Sequence, residues 1–216
     1  MTKHVVFDFD GIIANSNKDK IKVLSKILSK TFNYPEKYIS NLLLKSLPGL
    51  NRSLYIEILK KITNKKINKK KLLKLINVKM LDMFRKVKIN PYIKNMREHK
   101  ENVYWYIITS GCKKEVIFFL NKHKISNYFR SIVGGTGEKY LSFLILKKKY
   151  KIDNKNLMVI GDSLKDLELI KKLSCQGFLV TEWSQEANFL SLVRFPNIKI
   201  LKKLKELKLV YKSHFN

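Results

Sequence analysis

Cysteine, proline and glycine are all scarce in this sequence. Two cysteines, four prolines and eight glycines among 216 residues exclude a disulfide scaffold, a collagen-like repeat and a linker-rich chain. The two cysteines, Cys112 and Cys175, are therefore expected to be reduced thiols. No apolar run approaches the about 18 residues of a membrane-spanning helix, and the N-terminal segment MTKHVVFDFD lacks the pattern of a secretory signal. These absences predict a cytoplasmic protein without a membrane partner.

Acidic residues are also scarce, at 17 against 45 basic residues, so the formal net charge is +28. A field of this size attracts nucleic acids and anionic metabolites. However, only five of the basic residues are arginines, and arginine reads phosphates and bases better than lysine does. The lysines are spread along the whole chain, without a zinc-finger spacing, an RNA-binding signature or a glycine-lysine phosphate loop. Compositional bias is the favoured explanation, and a nucleic-acid-associated protein stays an alternative.

The order of apolar patterns predicts an α/β fold. Short apolar runs typical of buried strands occur at residues 4–9, 103–109, 132–134, 157–161 and 177–180. Helical patterns separate the later runs, and their expected inward residues are Val116, Phe119 and Leu120; Leu141, Leu144 and Ile145; and Leu164, Leu167 and Ile170. This alternation predicts a doubly wound, parallel, Rossmann-like sheet, which binds ligands beyond the carboxyl ends of its strands.

Residues 15–91 interrupt the alternation with several helical patterns and no convincing strand. We expect them to form a helical insert in a core made of residues 1–14 and 92–216. The lysine-rich stretch at residues 60–75 is expected to be the exposed faces of two helices with a turn near Asn68. Leu201, Leu204 and Leu207 predict a closing amphipathic helix after a short segment at residues 195–200.

The motif FDFDG places Asp8 and Asp10 on one side of a strand end, and Gly11 permits a sharp exit. A calcium-binding loop would need an oxygen ligand at its fifth position and a glutamate at its twelfth. Ile12 and Asp19 stand there instead. The motif therefore favours a carboxylate nucleophile next to a carboxylic acid or base.

A second acidic motif, VIGDSLKD, places Asp162 and Asp166 where a strand passes into a helix. Asp162 or Ser163 could simply cap that helix, with Asp166 favourable in its first turn. The presence of another acidic pair in the same chain favours magnesium binding instead. Magnesium would tether these acids and neutralise the charge of a phosphate.

The apolar run VYWYIIT ends in Thr109, Ser110 and Gly111 before a helical pattern. A hydroxyl and free backbone N–H groups at this position could hold a phosphate. Serine and threonine at a helix start are also ordinary caps, so both interpretations stay open.

Taken in order, the motifs DFDG, ITSG, a lysine and GDSLKD resemble the haloacid dehalogenase superfamily of phosphohydrolases, with the phosphoglycolate phosphatase and beta-phosphoglucomutase branch nearest. The resemblance covers essentially the whole chain. It implies a magnesium-dependent reaction through an aspartyl-phosphate, with the helical insert as a cap. By resemblance, Asp8 is the nucleophile, Asp10 the acid and base, and Thr109 the phosphate-binding hydroxyl. Residues implied to bind substrate are Gly11, Ser110, Gly111 and Arg52, and those implied at the metal are Asp8, Asp10, Asp162 and Asp166.

Two implied residues have open alternatives. Lys139, in GGTGEKYLSFL, takes the place of the catalytic lysine of the family, but 40 lysines in the chain make a surface lysine a real alternative. Arg52 follows LPGLN, which resembles the substrate-specificity loop of this branch. It would reach an anionic or hydroxyl group at the distal end of the substrate, and the alternative is an ordinary surface arginine.

These observations predict a magnesium-dependent phosphatase of a small phosphorylated metabolite, acting as a monomer or homodimer without a specific nucleic-acid partner. A phosphomutase would use the same residues and stays an alternative.

Overall fold

The computed structural model describes residues 3–46, 52–97, 102–135 and 137–207. Six strands form one sheet in the order β3-β2-β1-β4-β5-β6, and all neighbouring strands are parallel. The strands are β1 (Lys3–Phe7), β2 (Val103–Thr109), β3 (Phe129–Gly134), β4 (Leu157–Gly161), β5 (Gln176–Val180) and β6 (Ile198–Leu201). All five predicted strands and the α/β class are confirmed. Because β1 pairs with β2 on one side and with β4 on the other, the winding direction reverses there, which opens a crevice at the carboxyl ends of β1 and β4.

Helices flank the sheet. Within the described residues they are α1 (Asn17–Phe32), α2 (Glu36–Asn41), α3 (Arg52–Thr63), α4 (Lys69–Phe84), α5 (Tyr92–Arg97), α6 (Lys113–Lys122), α7 (Lys139–Tyr150), α8 (Leu164–Leu173) and α9 (Ala187–Leu190), with a π-helical turn at Leu42–Ser46. The side chain of Asn68 caps α4 by accepting from the Lys71 N–H at 3.0 Å, so the predicted turn is confirmed. Among these described segments, no helix combines the length and apolar character needed to cross a membrane.

The helical insert leaves the sheet after β1 and returns before α5. The outgoing and returning chains are joined where Asn15 N–H donates to Lys88 O at 3.1 Å and Asn90 N–H donates to Ile13 O at 2.9 Å. The aromatic ring of Phe9 also packs against rings from α4 and α6, with centroid distances of 5.7 and 5.3 Å. Insert and sheet therefore share one apolar cluster, and the division into two domains stays a prediction.

The face of α7 differs from the expected one. Leu141, Leu144 and Ile145 are 47%, 40% and 51% exposed, whereas Phe143 and Leu146 are fully buried. The predicted inward face is wrong because Lys139, in the first turn, points into the interior. Residues three, four and seven positions after Lys139 lie on the same side of the helix. These residues are Ser142, Phe143 and Leu146, and they are therefore buried as well.

The predicted closing helix is also wrong within the described residues. Leu201 pairs in β6 opposite Val180, and the helical structure that follows is a single 3-10 turn at Leu204–Glu206. A leucine spacing of three fits a 3-10 turn as well as an α-helix. Residues 208–216 lie outside the described part of the chain.

Candidate active site

Asp8 lies at the carboxyl end of β1, in the crevice between β1 and β4. Its backbone N–H donates to Ile160 O at 2.8 Å, which extends the pairing with β4, and its Oδ1 accepts from the Phe9 N–H at 2.7 Å. The other carboxylate oxygen lies 2.8 Å from Lys139 Nζ. Asp8 is only 8% exposed, so backbone and cation together fix this carboxylate at the floor of the crevice.

Lys139 is the first residue of α7, and its side chain contacts the Asp8 carboxylate. Its Nζ lies 2.6 Å from Asp166 Oδ1 and 2.8 Å from Asp8 Oδ2. The residue is 6% exposed, which excludes the surface alternative. A buried lysine needs carboxylate partners to stay charged, and both of its partners are residues that the motifs singled out.

Asp162 and Asp166 follow β4. Asp162 accepts from the side-chain amide of Asn17 at 2.7 Å, and Asp166 accepts from both the backbone N–H and the hydroxyl of Ser163, at 3.2 and 2.5 Å. Ser163 is the N-cap of α8 and forms a capping box with Asp166. The capping alternative is thus confirmed for Ser163 and Asp166, and it coexists with the acidic site because Asp166 also pairs with Lys139.

Two glycines make room for these acids. Gly11 has a φ of 79°, and a Cβ atom there would stand 1.9 Å from Asp162 Oδ2. A Cβ at Gly161 would stand 2.0 Å from Asp166 Cγ. A side chain at either position would overlap a carboxylate, so glycine is required by close approach and, at Gly11, also by backbone conformation.

The three carboxylates of Asp8, Asp162 and Asp166 form a group whose ligand atoms lie within 4.8 Å of one another. Burial raises the pKa of Asp8 to about 7; Lys139 opposes this shift, while Asp166 and Asp10 add to it. Burial, followed by the charges of Asp8 and Asp166, raises the pKa of Asp162 well above its usual range. For Lys139, burial acts to lower the pKa, but Asp166 and Asp8 outweigh it and raise the pKa.

This acidic group fits a divalent cation. Among the described residues, the ammonium group of Lys139 contacts two of the three carboxylates, those of Asp8 and Asp166, whereas Asp162 accepts from the neutral amide of Asn17. The carboxylates therefore outnumber their direct cationic partner. Magnesium is held by carboxylate oxygens, and a doubly charged ion would favour the ionised form that burial disfavours.

Asp10 is not part of this group. One of its oxygens accepts from Ser16 Oγ and the other pairs with Lys20 Nζ, both at 2.5 Å. The structure therefore brings three of the four predicted metal carboxylates together and gives the fourth different partners. The predicted acid and base role of Asp10 stays a prediction, and so does its role at the metal.

Thr109 ends β2 and lies near the Asp10 carboxylate. Its Oγ1 accepts from the Gly111 N–H at 2.9 Å, and a Cβ at Gly111 would lie 3.2 Å from both Thr109 Oγ1 and Lys20 Nζ and 3.6 Å from Asp10 Oδ2. A hydroxyl and an ammonium group thus approach the same space beside Gly111. An anion such as phosphate is stabilised by this kind of donor pair, and Ser110 lines the cleft at the same strand end.

These residues open into a cleft of about 650 Å³ between the sheet and the helical insert. Arg52, at the start of α3, lines it and is held in a two-point pair with Glu115 of α6, at 2.6 Å from Nη1 and 2.7 Å from Nη2. Arg52 is therefore at the cleft, as expected, and is not an ordinary surface arginine. Its substrate role stays a prediction, and the preceding loop at residues 47–51 lies outside the described residues.

Sequence reasoning missed Asn17, Lys20 and Glu115. Asn17 and Lys20 carry no compositional signal, because asparagine and lysine are abundant throughout the chain. Glu115 did carry one, since acidic residues are few and this one follows the Thr109 motif closely. Glu115 is only 2% exposed and pairs with Arg52. The scarcity of acidic residues was the signal that could have identified it.

A parallel sheet with an acidic group at its winding reversal is typical of α/β proteins that bind a ligand beyond the carboxyl ends of their strands. The model of the haloacid dehalogenase-like hydrolase family matches residues 5–180, and the chain belongs to that family. None of the curated proteins matches the sequence.

Solved structures share the fold at low sequence identity. A predicted phosphoglycolate phosphatase from Haemophilus somnus has a TM-score of 0.75 at 18% identity, covering 97% of this chain and 98% of that one. CbbY from Rhodobacter sphaeroides, solved with phosphate, has a TM-score of 0.73 at 13% identity and 96% coverage of both chains. A candidate beta-phosphoglucomutase from Thermotoga maritima has a TM-score of 0.67 at 18% identity, covering 98% and 99%. The fold and the resemblance stated from the motifs are thereby confirmed.

Proposed function

We propose that this chain is a magnesium-dependent phosphatase that hydrolyses a small phosphorylated metabolite through an aspartyl-phosphate on Asp8. The observation that carries the proposal is the position of the Asp8 carboxylate. It lies at the floor of the cleft, beside Lys139 and the acidic group, at the sheet edge where this fold binds ligands.

The proposed reaction has two steps. An oxygen of Asp8 attacks phosphorus and forms a P–O bond, while the bond to the ester oxygen breaks and Asp10 gives a proton to the departing alkoxide. Asp10 then takes a proton from water, whose oxygen attacks phosphorus and releases Asp8 and inorganic phosphate. To act in this way, Asp10 must exchange Ser16 or Lys20 for the substrate oxygen or water.

Other groups of the site stabilise charge in this scheme. Thr109 and Lys20 would donate to the phosphoryl oxygens, and Lys139 would balance Asp8 and Asp166. Magnesium, held by Asp8, Asp162 and Asp166, would neutralise part of the phosphate charge.

The similar structures support the proposal by fold, and among them are a predicted phosphatase and a candidate phosphomutase. A phosphomutase transfers the phosphoryl group to another hydroxyl of its substrate instead of to water. Hydrolysis is the reaction proposed here, and transfer is an outcome that the same assay detects.

The test is a panel of phosphate monoesters incubated with magnesium and with either wild-type protein or Asp8→Asn. Asparagine is nearly isosteric with aspartate but is a far weaker nucleophile. We expect phosphate release by the wild type and a loss of at least about 1000-fold in Asp8→Asn, with an unchanged circular dichroism spectrum. Hydrolysis by pure Asp8→Asn near the wild-type rate would contradict the covalent mechanism, and an isomeric phosphate ester without free phosphate would indicate a mutase.

A further inference from the structure

The side of the cleft formed by the helical insert is largely apolar. Its wall includes Ile21, Leu24, Leu43, Tyr55, Leu73 and Met80, which come from α1, the π-helical turn, α3 and α4. The phosphoryl group is proposed to bind at the opposite end, at the carboxyl ends of the strands. This wall is therefore the part of the cleft that faces the leaving group of the ester.

Arg52 is the basic residue of that wall which could bind a charged leaving group. Two of its N–H groups donate to the two oxygens of Glu115, and Nη1 also donates to Asn77 Oδ1 at 2.9 Å. A two-point arginine–carboxylate pair is the strongest form of this contact. Because Glu115 is 2% exposed, the positive charge of Arg52 is already neutralised by a buried partner.

A carboxylate or second phosphate on the leaving group would have to take Arg52 from Glu115. Glu115 would then be a buried, unpaired anion, which is strongly unfavourable. The other cations of the cleft do not replace Arg52. In the proposed reaction Lys20 binds the phosphoryl group, and Lys139 pairs with Asp8 and Asp166. The remaining two lining lysines, Lys113 and Lys165, stand in the first turns of α6 and α8, which directly follow β2 and β4.

We infer that Glu115 determines substrate specificity through Arg52, and that the cleft takes phosphate monoesters whose leaving group is uncharged and largely apolar. This inference rests on the proposed phosphatase function. Of the two partners expected for Arg52, an anion or a hydroxyl, the neutralised pair favours the hydroxyl. Specificity then comes from apolar contact with the insert, together with the exclusion of anionic leaving groups.

The test compares benzyl phosphate with para-carboxybenzyl phosphate, which differ by one carboxylate. The readout is the ratio of their kcat/KM values, with kcat and KM measured separately. For the wild type we expect benzyl phosphate to be preferred by at least about tenfold. In Glu115→Gln the charge of Arg52 is released, so the ratio should fall about tenfold, mainly through a lower KM for the carboxylated ester.

Two further variants complete the design. Glu57→Gln makes the same chemical change on the exposed side of α3, where Glu57 pairs with Lys60 and Lys69, and its ratio should equal that of the wild type. Arg52→Met leaves the Glu115 charge near the cleft, so the folded variant should match or exceed the wild-type preference for benzyl phosphate. The wild-type ratio tests the inference by itself if neither variant folds.

The outcomes separate the two proposals. A wild-type preference for the carboxylated ester, or an unchanged ratio in folded Glu115→Gln, overturns the specificity inference alone. An absence of phosphate release from every ester in the panel overturns the proposed function, and this inference with it.

Discussion

Replacement of Lys139 by methionine tests the centre of the site, because the change removes a buried cation while keeping most of its length. Lys139 Nζ contacts Asp166 at 2.6 Å and Asp8 at 2.8 Å, and all three residues are buried. Removing one partner of a buried ion pair costs about 3–5 kcal/mol. For a chain of this size that corresponds to a fall in Tm of about 6–20 °C.

The loss should also depend on pH. The pKa of Asp8 is raised to about 7, above its unfolded value, so the stability linked to this group is present at low pH and is lost as the pH rises through 7. Lys139 opposes that shift, so its removal raises the Asp8 pKa further and extends the loss of stability to higher pH. The metal-free variant should therefore be much less stable than the wild type near pH 8, and the deficit should shrink near pH 5.5, where protons neutralise Asp8.

Thermal unfolding in EDTA at both pH values measures this effect. Lys148→Met is the matched control, since Lys148 lies on the exposed side of the same helix. We also expect kcat/KM for phosphate release to fall about 100- to 1000-fold in Lys139→Met. Equal Tm losses in the two variants, or a loss that does not change with pH, would refute the assignment of Lys139 to the acidic group.

Three further predictions follow from the same geometry. EDTA should abolish activity and magnesium should restore it, whereas calcium should substitute poorly because it prefers more ligands. Magnesium should raise Tm more near pH 8 than near pH 6, since it competes with protons for Asp8. Full activity after exhaustive chelation would contradict the metal assignment. Gly11→Ala should lower both Tm and activity much more than Gly137→Ala, because both glycines have φ near 80° but a Cβ meets Asp162 only at Gly11; equal effects would mean that backbone strain alone matters. Raising the salt concentration should moderately lower kcat/KM by screening the attraction of anionic substrates, and tight, selective binding of DNA or RNA in gel shifts at physiological salt would instead support the nucleic-acid alternative.

The strands and the acidic group were predictable from sequence because their signals are local. An apolar run of five to seven residues is visible by itself, and the carboxyl ends of parallel strands meet at one edge of the sheet. Asp8, Asp162 and Asp166 could therefore be brought together without any knowledge of packing. Acidic residues are few in this lysine-rich chain, so the two acidic motifs were easy to distinguish from the rest of the sequence.

The partners of these acids were not predictable to the same degree. Lys20 is one of 40 lysines, and its contact with Asp10 depends on the path of α1 after the turn at Gly11. Arg52 and Glu115 are 63 positions apart, in α3 and α6. A pair of this kind has no fixed spacing in sequence, because the packing of the helical insert against the sheet brings it together.

The face of α7 shows a third limit. Residues 140–146 are apolar at every position except Ser142, so hydrophobic periodicity does not select one side of the helix. The inward side is the one that carries Lys139 to the acidic group and buries Phe143 and Leu146 in the apolar core.

The direction of Lys139 therefore also sets the surface chemistry of the protein. It leaves Leu141, Leu144 and Ile145 facing solvent as an apolar stripe, which in a neutral protein would favour self-association. In this chain the net charge of +28 supplies long-range repulsion between copies. The excess of lysine thus opposes self-association through the apolar stripe. Solubility should therefore decrease as added salt shortens the range of the repulsion.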